Sequence, residues 1–123
     1  MTSPAYTVAT HLSNEGYGEL ANGIYVALEP SKPDECITIY DTGGLDPDTD
    51  DQNLFNRTIQ IRIRSNDYLD TYSKLEDIRD LLINGSIAGI NDVWMQGDIL
   101  YIGRDDNDRH IFTTNFRLLI QGN

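Results

Sequence analysis

Two histidines and one cysteine are the residues best suited to nucleophilic or general-base chemistry, and none sits in a context that would use it. His11 falls in an apolar-periodic segment, and His110 follows the acidic turn Asp105-Asp106-Asn107-Asp108. Cys36 opens the strand-like run Cys36-Ile37-Thr38-Ile39-Tyr40-Asp41, where a lone cysteine reads as a small buried hydrophobe. There is no Gly-x-Ser-x-Gly elbow to present a serine above a sheet. These residues assign no catalytic group, and the chain is expected not to be an enzyme.

The carboxylates are more conspicuous. Asp46-x-Asp48-x-Asp50 matches the first three ligand positions of a calcium loop. The sixth position, which needs glycine for a sharp turn, is Asp51, and the twelfth, which needs a bidentate glutamate, is Arg57. The pattern fails, and a solvated acidic loop is the better reading. No Gly-x-x-x-x-Gly-Lys or Gly-x-Gly-x-x-Gly cradle for phosphates occurs, so no cofactor and no metal site is expected. Trp94 and the seven tyrosines lack a basic groove beside them, so they read as core or interface rather than a platform for stacking bases.

Net charge narrows the classes further. Twenty Asp and Glu against nine Lys and Arg leave −11 at neutral pH. A nucleic-acid binder displaces counterions with cationic side chains, and an anionic membrane attracts them, so both partners are disfavoured. No apolar stretch approaches the length of a bilayer span. Met1-Thr2-Ser3-Pro4 has no basic region leading to an apolar core, which argues against a signal peptide. The single cysteine fits a reducing compartment, and the sequons at Asn56 and Asn84 then read as coincidental.

A chain of 123 residues corresponds to a single domain over 1–123, and it can bury a sizeable core without staples. Ser3-Pro4 opens a first helix whose Ala5, Val8, Ala9 and Leu12 share one face, and Asn14-Glu15-Gly16 closes it. Strands are expected at Ile24–Glu29 and Cys36–Asp41, followed by a loop from 42 to 56. The alternation in Thr58-Ile59-Gln60-Ile61-Arg62-Ile63-Arg64 predicts a strand with one buried face and one polar, cationic face. Asn66-Asp67 starts a second helix over Tyr68–Ile83, with Tyr68, Tyr72, Leu75, Ile78 and Leu82 inward. Val93–Gln96 and Ile99–Ile102 flank Gly97-Asp98, a tight-turn signal for a hairpin, and a last strand runs from His110 to Ile120. Strands that cluster instead of alternating with helices predict an α+β fold. The expected form is a mostly antiparallel sheet of about five to six strands with two helices on one face.

In this order the segments resemble the tail-terminator and minor capsid family of long-tailed bacteriophages. The likeness rests on Gly23-Ile24-Tyr25-Val26 leading to Glu29–Asp34, and on Cys36–Asp41 running into Thr42-Gly43-Gly44. It rests also on Ile59–Arg64 followed by the Tyr72–Leu82 helix, and on Gly103-Arg104-Asp105 leading through His110 to Phe112 and Asn115-Phe116. The resemblance spans roughly residues 4 to 120 and implies a late structural protein of the virion, made in the host cytoplasm. Such a protein forms a homo-oligomeric ring, a hexamer in the typical case, on the last ring of tail-tube protein. It stops tube polymerisation at the neck and offers a surface to the head-completion protein, while DNA passes through the bore without sequence-specific contact.

Two groups of residues are the candidate interaction sites. Asp46, Asp48, Asp50 and Asp51 would face the bore or a docking partner, where carboxylates repel the DNA backbone. Arg62 and Arg64 would pair either with acids of the adjacent subunit or with acids of their own chain. Two other readings compete with the tail terminator: a head-completion protein on the portal side, and an acidic DNA-mimicking inhibitor.

Overall fold

The alternating isoleucines organise the molecule. In the computed structural model, which describes residues 2–45 and 54–121, Ile59, Ile61 and Ile63 project from one face of β4 (Leu54–Ser65) and are fully buried. β4 lies at the centre, paired antiparallel with β3 (Cys36–Leu45) on one side and β7 (His110–Gln121) on the other. The register sets Ile39 and Thr114 beside Ile61, and Phe116 beside Ile59. Every second residue of the three long strands therefore enters one apolar layer.

Both helices cover that layer and leave the opposite face of the sheet without a helix. α1 (Pro4–Asn14) buries Ala5, Val8, Ala9 and Leu12, the face that the spacing predicts. Its N-terminus is capped twice. The Ser3 hydroxyl accepts from the Tyr6 N–H at 3.2 Å, and Asp41 of β3 accepts from the Ala5 N–H at 2.9 Å. α2 (Tyr68–Asn84) starts at Asp67, whose carboxylate accepts from the Asp70 N–H at 2.9 Å. Its buried stripe is Thr71, Leu75, Ile78 and Leu82. Thr71 takes the inner position expected for Tyr68, because the Tyr68 ring lies across the sheet end against Tyr101 and Phe112, both at 5.2 Å between centroids.

The architecture is α+β and mostly antiparallel, with seven strands instead of five or six. The order is β1-β2-β3-β4-β7-β5, with β6 also on β7. The added strand is β1 (Glu19–Leu20), too short to leave a periodic signal. The β3–β4 hairpin extends through Leu45 and Leu54, so the expected loop is shorter than 42–56. Gly44 sits at the bulge there with φ +157°, and a Cβ on it would lie 2.1 Å from the Asn56 carbonyl oxygen. Asp46, Asp48, Asp50 and Asp51 lie outside the described residues.

Two pairings depart from the expectation. β5 (Asp92–Met95) and β6 (Leu100–Arg104) do not form a hairpin with each other. Both pair antiparallel with β7, β6 along His110–Thr113 and β5 along Phe116–Leu119. The chain between them therefore steps along one edge and does not reverse. β2 (Gly23–Val26) runs parallel to both β1 and β3. A parallel neighbour requires a crossover, and residues 27–35 supply a short one without a helix.

Candidate interaction surfaces

The crossover of residues 27–35 lies over one end of the helix-free face, and two arginines hold it there. Arg64 projects from β4 away from the isoleucine layer and is nevertheless buried. Its Nη1 and Nη2 donate to the carbonyl oxygens of Pro30 and Pro33, each at 2.6 Å, and its Nε donates to that of Asp34 at 3.3 Å. Arg109, also buried, donates from Nη1 to the Ser31 carbonyl at 2.6 Å and from Nε to Asp105 Oδ2 at 2.8 Å. A planar fork with five donors suits a turn that presents several carbonyls at once. Burial pushes the Asp105 carboxyl up, but the backbone N–H groups of Arg109 and Asn107 and the Arg109 guanidinium outweigh it and hold the group below its ordinary value.

Arg62 stands two residues from Arg64 on the same face, and the two meet at Glu29. Arg62 Nε lies 3.1 Å from Glu29 Oε2, and Arg64 Nη1 lies 3.7 Å from Glu29 Oε1. The structure thus brings both sequence-predicted arginines together on an acid of their own chain. Arg62 keeps 29% of its side chain exposed against 4% for Arg64, so Arg62 alone of the two offers surface to a neighbour.

Farther along the same face, Arg117 of β7 pairs in register with Trp94 of β5. Its guanidinium stacks over the indole at 4.5 Å from the ring centroid. Arg117 makes no ion pair among the described residues, and its Nε is buried without a hydrogen-bond partner. Sequence reasoning missed both Arg117 and Trp94 as a site. The signal available was Phe116-Arg117-Leu118, in which the arginine must face away from the core, but its partner depended on the β5–β7 register.

Burial raises the Cys36 thiol above its ordinary pKa, which keeps it protonated. The Tyr101 hydroxyl and His110 Nδ1 are 2.9 Å apart in an aromatic cluster with Tyr68 and Phe112. An open hollow of about 400 Å³ at the β1–β2 edge is lined by Tyr6, Leu20, Ala21, Ile24, Tyr25, Val26 and Leu28.

The family comparison decides what kind of protein presents these faces. The model of the bacteriophage tail terminator protein family matches residues 11–121. The chain belongs to that family. No curated protein matches the sequence significantly. A tail terminator has a structural role in the virion. Among the described residues no helix is long and apolar enough to cross a membrane.

Proposed function

We propose that this chain closes the tail tube as a homo-oligomeric ring, a hexamer, that stops tube polymerisation and presents the head-joining surface. The match to the tail terminator family over residues 11–121 carries the reading. Its partners are further copies of itself, the tail-tube protein below and the head-completion protein above. Asp46, Asp48, Asp50 and Asp51 fall between β3 and β4 in the sequence, and in this reading their carboxylates line the bore. Clustered negative charge there repels the DNA backbone and lets it pass without adhesion.

Deleting the gene in its phage and imaging the lysate by negative-stain electron microscopy tests the reading. Overlong tubes detached from filled heads are the expected result. Tails of normal length beside leaking heads would move the protein to the portal side as a head-completion component. Intact virions would refute both assignments and favour an acidic inhibitor.

A further inference from the structure

Charge is not spread evenly over this acidic chain. β4, β6 and β7 contain no Asp or Glu and carry five of the nine basic residues: Arg62, Arg64 and Arg117 share the helix-free face, and Arg57 and Arg104 pair in register with Leu118 and His110 on the helix-covered side. Most acids occupy helices, turns and loops; Glu19, Asp41 and Asp92 lie on β1, β3 and β5, and the register places Asp92 on the same sheet face as Trp94. α2, on the other side of the molecule, carries Asp70, Glu76, Asp77 and Asp80 against Lys74 and Arg79. Lys74 is engaged by Glu35 at 2.6 Å, and Arg79 by Asp80 at 3.1 Å and Glu76 at 3.7 Å. Asp70 and Asp77 are exposed, two helical turns apart, and have no ion-pair partner among the described residues.

Resting on the ring reading above, we propose that the helix-free sheet face, centred on Trp94 and Arg117, receives the acidic outer side of α2 from a second copy of this chain. The guanidinium sits over the indole and makes no ion pair among the described residues, so its outward Nη groups can meet a carboxylate. Apolar groups flank both patches: Trp94 and Leu100 on the sheet, Leu69 and Ile83 on the helix, all among the exposed large hydrophobics. Tryptophan and arginine ringed by apolar contacts is the composition of interface anchors. The two patches lie on opposite sides of the molecule, so the contact is front to back. Such a heterologous contact closes into a ring when the rotation per copy permits, and it cannot be satisfied in a two-fold dimer.

The test is the solution mass of the purified full chain, by light scattering and native mass spectrometry, for wild type and charge-reversal variants. Wild type is expected to assemble. Arg117→Glu and Asp77→Arg should each weaken assembly by at least about tenfold in dissociation constant, and raised salt should act in the same direction. The double variant Arg117→Glu/Asp77→Arg restores opposite charges and should recover assembly. Circular dichroism checks folding, and Asp77→Arg, on an exposed helical site, remains informative if Arg117→Glu unfolds. Both single variants assembling as wild type does, a double variant as weak as the singles, or a monomeric wild type at its solubility limit would each overturn the interface. Overlong tubes on gene deletion, together with an Arg117→Glu protein that still assembles, would leave the terminator reading standing and remove only this contact.

Discussion

Replacing Arg64 with alanine should cost far more than its exposed-looking place in the sequence suggests. The side chain is 4% exposed and supplies three donors to carbonyls of the 27–35 crossover, and it also stands 3.7 Å from Glu29. Each hydrogen bond to a charged group contributes about 1.5–3 kcal/mol, and an acceptor left buried and unpaired keeps its desolvation cost. The three bonds are not additive, since the turn relaxes once released, so the net loss is about 3–5 kcal/mol, the range for breaking a buried charged contact. For a chain of this size that lowers Tm by roughly 10–20 °C. Arg62→Ala is the internal control: its side chain is 29% exposed and makes one ion pair, so it should cost about 1 kcal/mol or less. Urea unfolding followed by circular dichroism gives both values at unchanged slope. If Arg64→Ala were within about 1 kcal/mol of Arg62→Ala, the idea that the guanidinium fastens the crossover would be wrong.

Four further outcomes follow from the same structure. Phe116→Ala empties a fully buried site beside Ile59 and should cost about 3–5 kcal/mol in a urea titration. Gly44→Ala drives a Cβ to 2.1 Å from the Asn56 carbonyl at a φ of +157°, so a loss above about 2 kcal/mol is expected, read by thermal unfolding. Asp67→Ala removes the cap of α2 and should cost about 1 kcal/mol, with Asp67→Asn retaining most of it. Asp105 has a depressed folded-state pKa, so its stabilising contribution is present above the unfolded value of 3.8 and is lost as pH falls through the lower folded value. Urea midpoints below pH 5 should therefore fall less steeply with acidification in Asp105→Asn than in wild type.

Local periodicity carried most of the frame. The isoleucines of β4, the inner face of α1 and the buried turns of α2 all follow from spacings that one element imposes on itself. What the sequence hid was pairing between elements. Gly97-Asp98 is a sound turn signal, but whether flanking strands reverse on each other or step along a third strand depends on what edge is open, and β7 offers one long enough for both. Alternation places Arg64 on the polar face, and its burial leaves no signal in the sequence because the covering segment comes from 30 residues away or more. The candidate surface had the same weakness: Arg117 and Trp94 meet only through register, 23 positions apart in the chain.

Segregated charge also answers a difficulty in the proposed assembly. Copies that each carry −11 repel, and a ring brings several of them together. At physiological ionic strength the Debye length is about 8 Å, so charges on distant parts of two neighbours scarcely interact and the balance is decided where surfaces touch. A chain with evenly mixed charge would set acid against acid at that contact. This one places no acid on β4, β6 or β7 and leaves Asp70 and Asp77 unpaired on the outer side of α2 among the described residues, so front-to-back contact that sets Arg117 against those aspartates opposes unlike charges at its centre, with Asp92 the acid nearest to it on the sheet face. Front-to-front contact would instead oppose arginine with arginine, and back-to-back contact aspartate with aspartate. Repulsion then selects the orientation that propagates around a ring.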